Sequence, residues 1–298
     1  MDVGIFGFES KVSDLVEEVA TAAGQGFSSF WVPQIFGFDA LTALAVVGRE
    51  VPEIKLGTSV IPTYPRHPMM LAQQALTVSQ VIGADRLQLG IGLSHKPVVE
   101  GMWGLPFDKP VRHMREYLEL LGPLLHAQTV SAAHETLTAR GQIDIPDAAP
   151  PQVLVAALGP QMLKVTGRLA DGTITWMTGA KTIADLTTPT ITEAAAGAER
   201  PSPQVVVGLP ICVTSDVDAA RERAAREYEI YGQLPSYRAM LDHEGLDGPA
   251  DLALIGDGDA IRARLSEFEA AGMTTFAASA FGSDRERAAT REFLQTLL

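Results

Sequence analysis

Two rhythms of apolar and polar residues alternate along this chain. Residues 3–8 (VGIFGF) are apolar almost without a break, as in a strand covered on both faces. Residues 12–24 (VSDLVEEVATAAG) place Val12, Leu15, Val16, Val19 and Ala22 three and four apart, the stripe of an amphipathic helix. Ser13 or Asp14 stands near its cap, and Gly24 ends it. The alternation then repeats. Apolar runs predict strands at 28–33, 54–61, 86–92, 151–158, 171–177, 205–213 and 274–280. Helical spacing predicts helices at 39–50, 68–82, 110–126, from Pro160 onward, and at 182–196, 216–232, 259–272 and 285–298. Pro68 and Pro160 suit a first helical turn, where a missing N–H costs nothing.

Two stretches break the beat. Residues 129–146 alternate with period two and predict a hairpin after the fourth helix. The stretch before 259 has no clear period. Eight strands, nearly all separated by helices, in 298 residues predict an α/β fold, a (β/α)8 TIM barrel. It carries a small insertion after helix four and an irregular segment before the last β/α unit. The expectation is one domain over 1–298. A doubly wound sheet is the alternative, disfavoured by the eight units and the closing helix.

Composition narrows the function. A net charge of −13 argues against nucleic acid, whose phosphates demand a basic face, and leaves room for a small anionic ligand, because local fields matter more than the total. No apolar run reaches the roughly 18 residues of a membrane span. The N-terminus begins directly on a strand, with no basic leader. The one cysteine, Cys212, lies in the run VVVGLPICV and reads as a buried structural thiol. These features predict a cytoplasmic protein acting on a small molecule, with neither nucleic acid nor membrane as partner. A homodimer is left open.

In a barrel of this kind the chemistry sits where the strands end. Those ends offer aromatic, amide, hydroxyl and imidazole groups: Phe6, Glu9, Trp31, Gln34, Phe36, Ser59, Tyr64, Arg66, His67, Ser94, His95, Trp176 and Thr178. No histidine pair has the spacing of metal ligands. The loop IPTYPRHP after the third strand is stiff and polar, which suits a wall that holds side chains in place. The turn GPQMLKV (159–165) puts Gly159 and Pro160 at a helix start, either an anion site or an ordinary connection. GIGLSHK (90–96) is a second glycine-rich strand end, without the spacing of a P-loop or a dinucleotide fingerprint.

Three stretches then carry a resemblance over almost the whole chain: LGTSVIP…HPMMLAQQALTVSQVIGADRLQLGIGLS, ALGPQMLKVTGRLADGTITWMTG and IGDGDAIRARLSEFEAAGMTTF. They resemble the bacterial-luciferase-like superfamily, and within it the coenzyme F420-dependent oxidoreductases. The resemblance implies hydride transfer between the deazaflavin F420 and an activated C=C, C=N or C=O bond of a small, largely apolar substrate. Two alternatives stay open: an FMN-dependent luciferase-like monooxygenase, and a non-catalytic cofactor-binding paralogue.

The resemblance also implies a site. A non-prolyl cis peptide at Ser59–Val60 would back the cofactor ring. Gly92, Leu93, Ser94 and His95 would bind it from the fourth strand, Ala157, Leu158, Gly159, Pro160 and Gln161 from the fifth, and Thr178 and Gly179 from the sixth. Phe6, Glu9, Phe36, His67, Trp103 and Trp176 would line the substrate pocket. His95, Tyr64 and Gln34 are the catalytic candidates. The related dehydrogenases end their second strand in Asp-His-Phe; here Gln34, Ile35 and Phe36 stand there, so their catalytic histidine is absent. His95 replaces their glutamate, and either donates a proton or holds the cofactor tail. His67, His95, Lys96 and Lys181 are the cations expected to receive that anionic tail.

Overall fold

The computed structural model describes every residue from Met1 to Leu298. Eight parallel strands form a closed ring: β1 (Asp2–Phe6), β2 (Ser29–Val32), β3 (Lys55–Thr58), β4 (Leu87–Gly92), β5 (Gln152–Val155), β6 (Gly172–Trp176), β7 (Gln204–Val213) and β8 (Thr275–Ala280). They follow chain order around the ring, and β8 closes it by pairing Thr275 with Asp2 of β1. Around them lie α1 (Val12–Gly24), α2 (Ala40–Glu50), α3 (Pro68–Ile82), α4 (Pro110–Leu125), α5 (Pro160–Leu169), α6 (Thr188–Ala196), α7 (Gly258–Ala270) and α8 (Asp284–Gln295). This is the expected (β/α)8 barrel. None of its helices is long and apolar enough to cross a membrane.

Two apolar layers hold it. The larger lies between strands and helices and contains 60 buried residues. That explains the unbroken apolar runs: each strand is covered on both faces. The smaller fills the barrel with Phe6, Trp31, Leu154, Ile174, Val206 and Ala277. Large rings alternate there with glycines. A Cβ on Gly57 would overlap the Trp31 indole, and one on Gly208 would stand 3.1 Å from Trp176. Cys212 is fully buried beside Ala220, Ala224 and Phe281, and burial pushes its thiol up to about 11, as suits a structural residue.

The structure corrects several element boundaries. The third strand does not run to 61. It stops at Thr58, the Ser59–Val60 peptide is cis as the resemblance implied, and Ile61–Pro62 pairs separately beside β4. The helix expected at 182–196 starts at Ala180 and passes through a π-helical turn, Ile183–Thr187. Pro189 has no N–H to return to Asp185 and its ring crowds that carbonyl, which a widened turn relieves. The hairpin forms as expected, Val130–Ala133 against Thr138–Gly141.

The largest departure follows β7. The helix expected at 216–232 breaks at Tyr228 into Val217–Glu227 and Glu229–Gln233. The irregular stretch contains a helix, Pro235–Glu244, and a short strand, Leu254–Gly256. Pro235 opens that helix and Gly245, at φ 76°, ends it. The strand pairs with the far end of β7, Val213 against Gly256, outside the ring.

One buried histidine ties stability to pH. His113 of α4 is 5% exposed, stacks on Tyr64 at 4.1 Å and sets Nε2 3.1 Å from Thr63 Oγ1. Burial pushes its imidazole down to about 4, against an opposing pull from Glu116. The unfolded chain therefore takes a proton near pH 6.5 that the folded chain refuses until about 4. Stability is full above the unfolded value and falls as pH drops between the two. At 1.36 kcal/mol per unit this amounts to about 3 kcal/mol. Urea unfolding across pH 4 to 7 is expected to show that loss, and His113→Phe to flatten it. Equal slopes in both proteins would exclude His113 as the cause.

Candidate active site

All eight strands end on one face, and the mouth of the site is built from those ends. Thr58 Oγ1 donates to the Gly90 carbonyl at 2.8 Å, and Ser59 N–H donates to the Val32 carbonyl at 2.8 Å. Val60 then turns toward β4. A Cβ on Gly92 would lie 2.6 Å from Val60 Cγ2 and 3.2 Å from the Ala156 methyl. Only glycine lets the ends of β3, β4 and β5 converge with bare backbone there. Two residues at the mouth hold left-handed backbone without being glycine, Ser94 at φ 62° and Met177 at φ 49°. Such conformations cost about 1–3 kcal/mol each and cluster at functional sites.

Aromatic rings run from β1 across the mouth. Phe6 contacts Phe8 at 5.0 Å and Trp176 at 5.1 Å, centre to centre. Trp176 meets Tyr228 at 6.2 Å and Tyr231 at 6.1 Å; Tyr231 meets Tyr237 at 5.1 Å, and Tyr237 meets His95 at 6.0 Å. Edge and tilted contacts of this kind add to area burial. Trp176 Nε1 is buried with no hydrogen-bond partner. Burial pushes the phenols of Tyr228, Tyr231 and Tyr237 up and the His95 imidazole down. At neutral pH the cluster is therefore uncharged, and His95 carries one N–H and one lone pair.

Two helix starts face this side of the barrel. Gly159 precedes α5 with no side-chain cap, so the first N–H groups of α5 have no partner from that residue. Gly179 precedes the run from Ala180, and there Thr182 N–H donates to Glu244 Oε1 at 2.5 Å.

The strand-end residues Phe6, Ser59, Val60, Gly92 to His95, Ala157 to Gln161 and Trp176 to Gly179 all lie on this face. Several other expected residues have different work. Gln34 Oε1 accepts the Ala40 N–H at 2.8 Å at the start of α2. Tyr64 stacks on His113 at 4.1 Å. Its hydroxyl donates to the Asp108 carbonyl at 3.3 Å, and burial, with Asp108 adding, pushes it up to about 12. His67 leaves the pocket: Nε2 donates to the Thr138 carbonyl at 2.9 Å and Nδ1 accepts the Met69 N–H at 3.3 Å. It caps α3 and fastens the hairpin.

Glu9 folds back beside Gly7 and Phe30 of the outer layer, its Oε2 buried without a partner and its carboxyl pushed up by burial. Phe36 is 61% exposed on the rim and packs against nothing in the cluster. Trp103 follows the short helix Lys96–Gly101, its N–H on the Val98 carbonyl, and stands apart from the ring cluster. Arg66 pairs with Asp39 and Gln74, Lys181 with Asp185 at 3.0 Å, and Lys96 with Glu100 at 3.7 Å. Of the cations expected to meet an anionic tail, only Lys96 is loosely held.

Tyr228, Tyr231, Tyr237 and Glu244 escaped the sequence reading. Their signal lay in YEIYG and PSYRAMLDHEG: tyrosines three apart, then an N1 proline and a closing glycine.

Comparison with known proteins places this geometry. A family model described as luciferase-like monooxygenase matches residues 8–275. The 5,10-methylenetetrahydromethanopterin reductase of Methanolobus tindarius is 26% identical, over 84% of this chain and 78% of its own. A putative coenzyme F420-dependent oxidoreductase of Mycobacterium tuberculosis is 31% identical, over 52% of this chain and 49% of its own. The fold matches that of the coenzyme F420-dependent tetrahydromethanopterin reductase of Methanopyrus kandleri, with a TM-score of 0.81, 22% identity and 98% and 97% of the two chains covered. It also matches the FMN-bound oxygenating constituent of 3,6-diketocamphane monooxygenase from Pseudomonas putida, with a TM-score of 0.77, 16% identity and 100% and 96% covered.

Proposed function

This chain belongs to the luciferase-like monooxygenase family, and from that premise we propose that it is a coenzyme F420-dependent oxidoreductase. It moves a hydride between F420 and an activated C=C, C=N or C=O bond of a small, largely apolar substrate. The observation that carries the substrate class is the uncharged mouth. Phe8, Ile35, Phe36 and Met102, in the connections after β1, β2 and β4, and Ile230, in the short helix Glu229–Gln233 after β7, are all more than half exposed. Exposed apolar side chains gathered at one opening mark a binding surface.

The residues present fit a deazaflavin. Glycine at 92 lets Val60 pack flush against the ends of β4 and β5 as a wall for a flat ring, the space beside Gly159 is open, and the buried Trp176 Nε1 makes no hydrogen bond of good geometry. The start of α5 at Gly159–Pro160 suits a phosphate, because uncapped N–H groups and the helix dipole favour an anion, and the Gly179 turn, whose Thr182 N–H already holds the Glu244 carboxylate, suits an anion by the same chemistry. When bound, F420 supplies a carbon that gives or takes hydride and does not readily activate oxygen. The chain orients substrate, excludes water through its rings, and holds a hydrogen bond or a proton at His95.

Titration of the purified protein with F420 and with FMN, followed by fluorescence, tests the reading. F420 is expected to bind at micromolar concentration or tighter, and more weakly as salt rises. Tight binding of FMN with none of F420 would replace this reading with the flavin monooxygenase one. F420 binding without turnover of any acceptor would indicate a non-catalytic paralogue.

A further inference from the structure

The helical run that begins at Ala180 is stopped at its front end by another part of the chain. Glu244, the last residue of helix Pro235–Glu244, presents its carboxylate to the Thr182 N–H at 2.5 Å. The same carboxylate fills the space where a Cβ on Gly179 would stand. Thr182 itself is fully buried, and its Oγ1 has no partner. The turn thus has an occupant, and that occupant is an anion. Beside it, His243 Nε2 lies 3.3 Å from Lys181 Nζ and 3.6 Å from Asp185. The helix that supplies Glu244 also carries Tyr237, the ring that reaches His95 across the mouth.

We propose that Glu244 is a built-in anion that latches helix Pro235–Glu244 over the mouth, and that the phosphate of the cofactor displaces it. This rests on the reading above that the Gly179 turn suits an anion, here that phosphate. Carboxylate and phosphate seek the same charge-assisted hydrogen bonds from backbone N–H groups. Two anions cannot share one Thr182 N–H, so binding of one releases the other. Release frees the helix end and, with it, Tyr237 from His95. The site is closed while empty and opens as the phosphate arrives. By linkage, the latch weakens cofactor binding by the factor with which it populates the closed form.

Two measurements on the full chain test this. Hydrogen exchange without cofactor is expected to show amides 181–183 and 235–244 protected in the wild type and at least about tenfold faster in Glu244→Ala. F420 is expected to bind Glu244→Ala about tenfold more tightly than wild type, and Glu244→Gln, which keeps an acceptor without the charge, in between. Unchanged exchange means that Glu244 latches nothing and overturns the proposal. Faster exchange with equal or weaker F420 binding shows a structural contact that does not gate the site, and also overturns it. If neither protein binds F420, the functional reading itself fails and the gating falls with it, whereas exchange still reports whether the contact holds the helix.

Discussion

His95→Ala is expected to lower turnover at saturating substrate by about 10²–10⁴-fold while leaving F420 affinity within about threefold. The geometry separates these quantities. His95 sits at the end of β4, 6.0 Å from the Tyr237 ring centre. The two helix starts suited to an anion belong to the turns after β5 and β6. Burial lowers its imidazole, so the neutral ring prevails at pH 7. A neutral ring offers an N–H to the substrate atom that gains charge as hydride arrives, and such donors are worth several kcal/mol in a dry site. The rate is therefore expected to hold from pH 7 to 8 and to change only below the ordinary histidine range. Saturated rates and dissociation constants for the variant, with the best acceptor from a panel of small apolar ketones, enones and imines, check this. A weakened F420 constant with an intact rate would assign His95 to the cofactor tail instead.

Trp31→Ala is expected to cost about 3–5 kcal/mol of stability. Trp31 is 1% exposed inside the barrel, lies over Gly57 and donates from Nε1 to Ser29 Oγ at 3.0 Å. Its neighbours cannot close the void, because the glycine beside it has no side chain to extend and the surrounding strands are fixed in a closed ring. The urea midpoint should drop with little change in slope. A loss under about 1 kcal/mol would mean that the barrel interior does collapse. Conversely, Gly57→Val should also destabilise, by overpacking the indole.

Sequence patterning exposed what obeys a local period. All eight barrel strands and their helices were legible because burial on both faces writes continuous apolar runs, and one-sided burial writes a stripe. Glycine-rich strand ends such as Gly90–Gly92 were visible for the same local reason. What stayed hidden depends on partners far along the chain. Nothing near Gln34 announces that it caps α2, or near His67 that it bonds the Thr138 carbonyl, 71 residues away. Glu244 reads as an ordinary acidic residue until the fold brings it to Thr182, 62 residues earlier. Past the stripe of Val217–Glu227, the segment after β7 was obscured because Glu229–Gln233, Pro235–Glu244 and Leu254–Gly256 are too short for a period to show.

That segment leaves and returns at one place. Val213 and Gly256 are register partners, and Thr214 N–H bonds the Gly256 carbonyl at 2.9 Å. Everything between is a loop already stitched at its neck. Closing a longer loop costs only about 0.6 kcal/mol for each doubling of length. The segment is therefore a cassette whose length can change at low closure cost, provided that Ala220 and Ala224 still pack on Cys212 and Tyr228 on Phe281. Grafting a different segment onto the same neck offers a direct way to re-tailor which molecules this barrel admits.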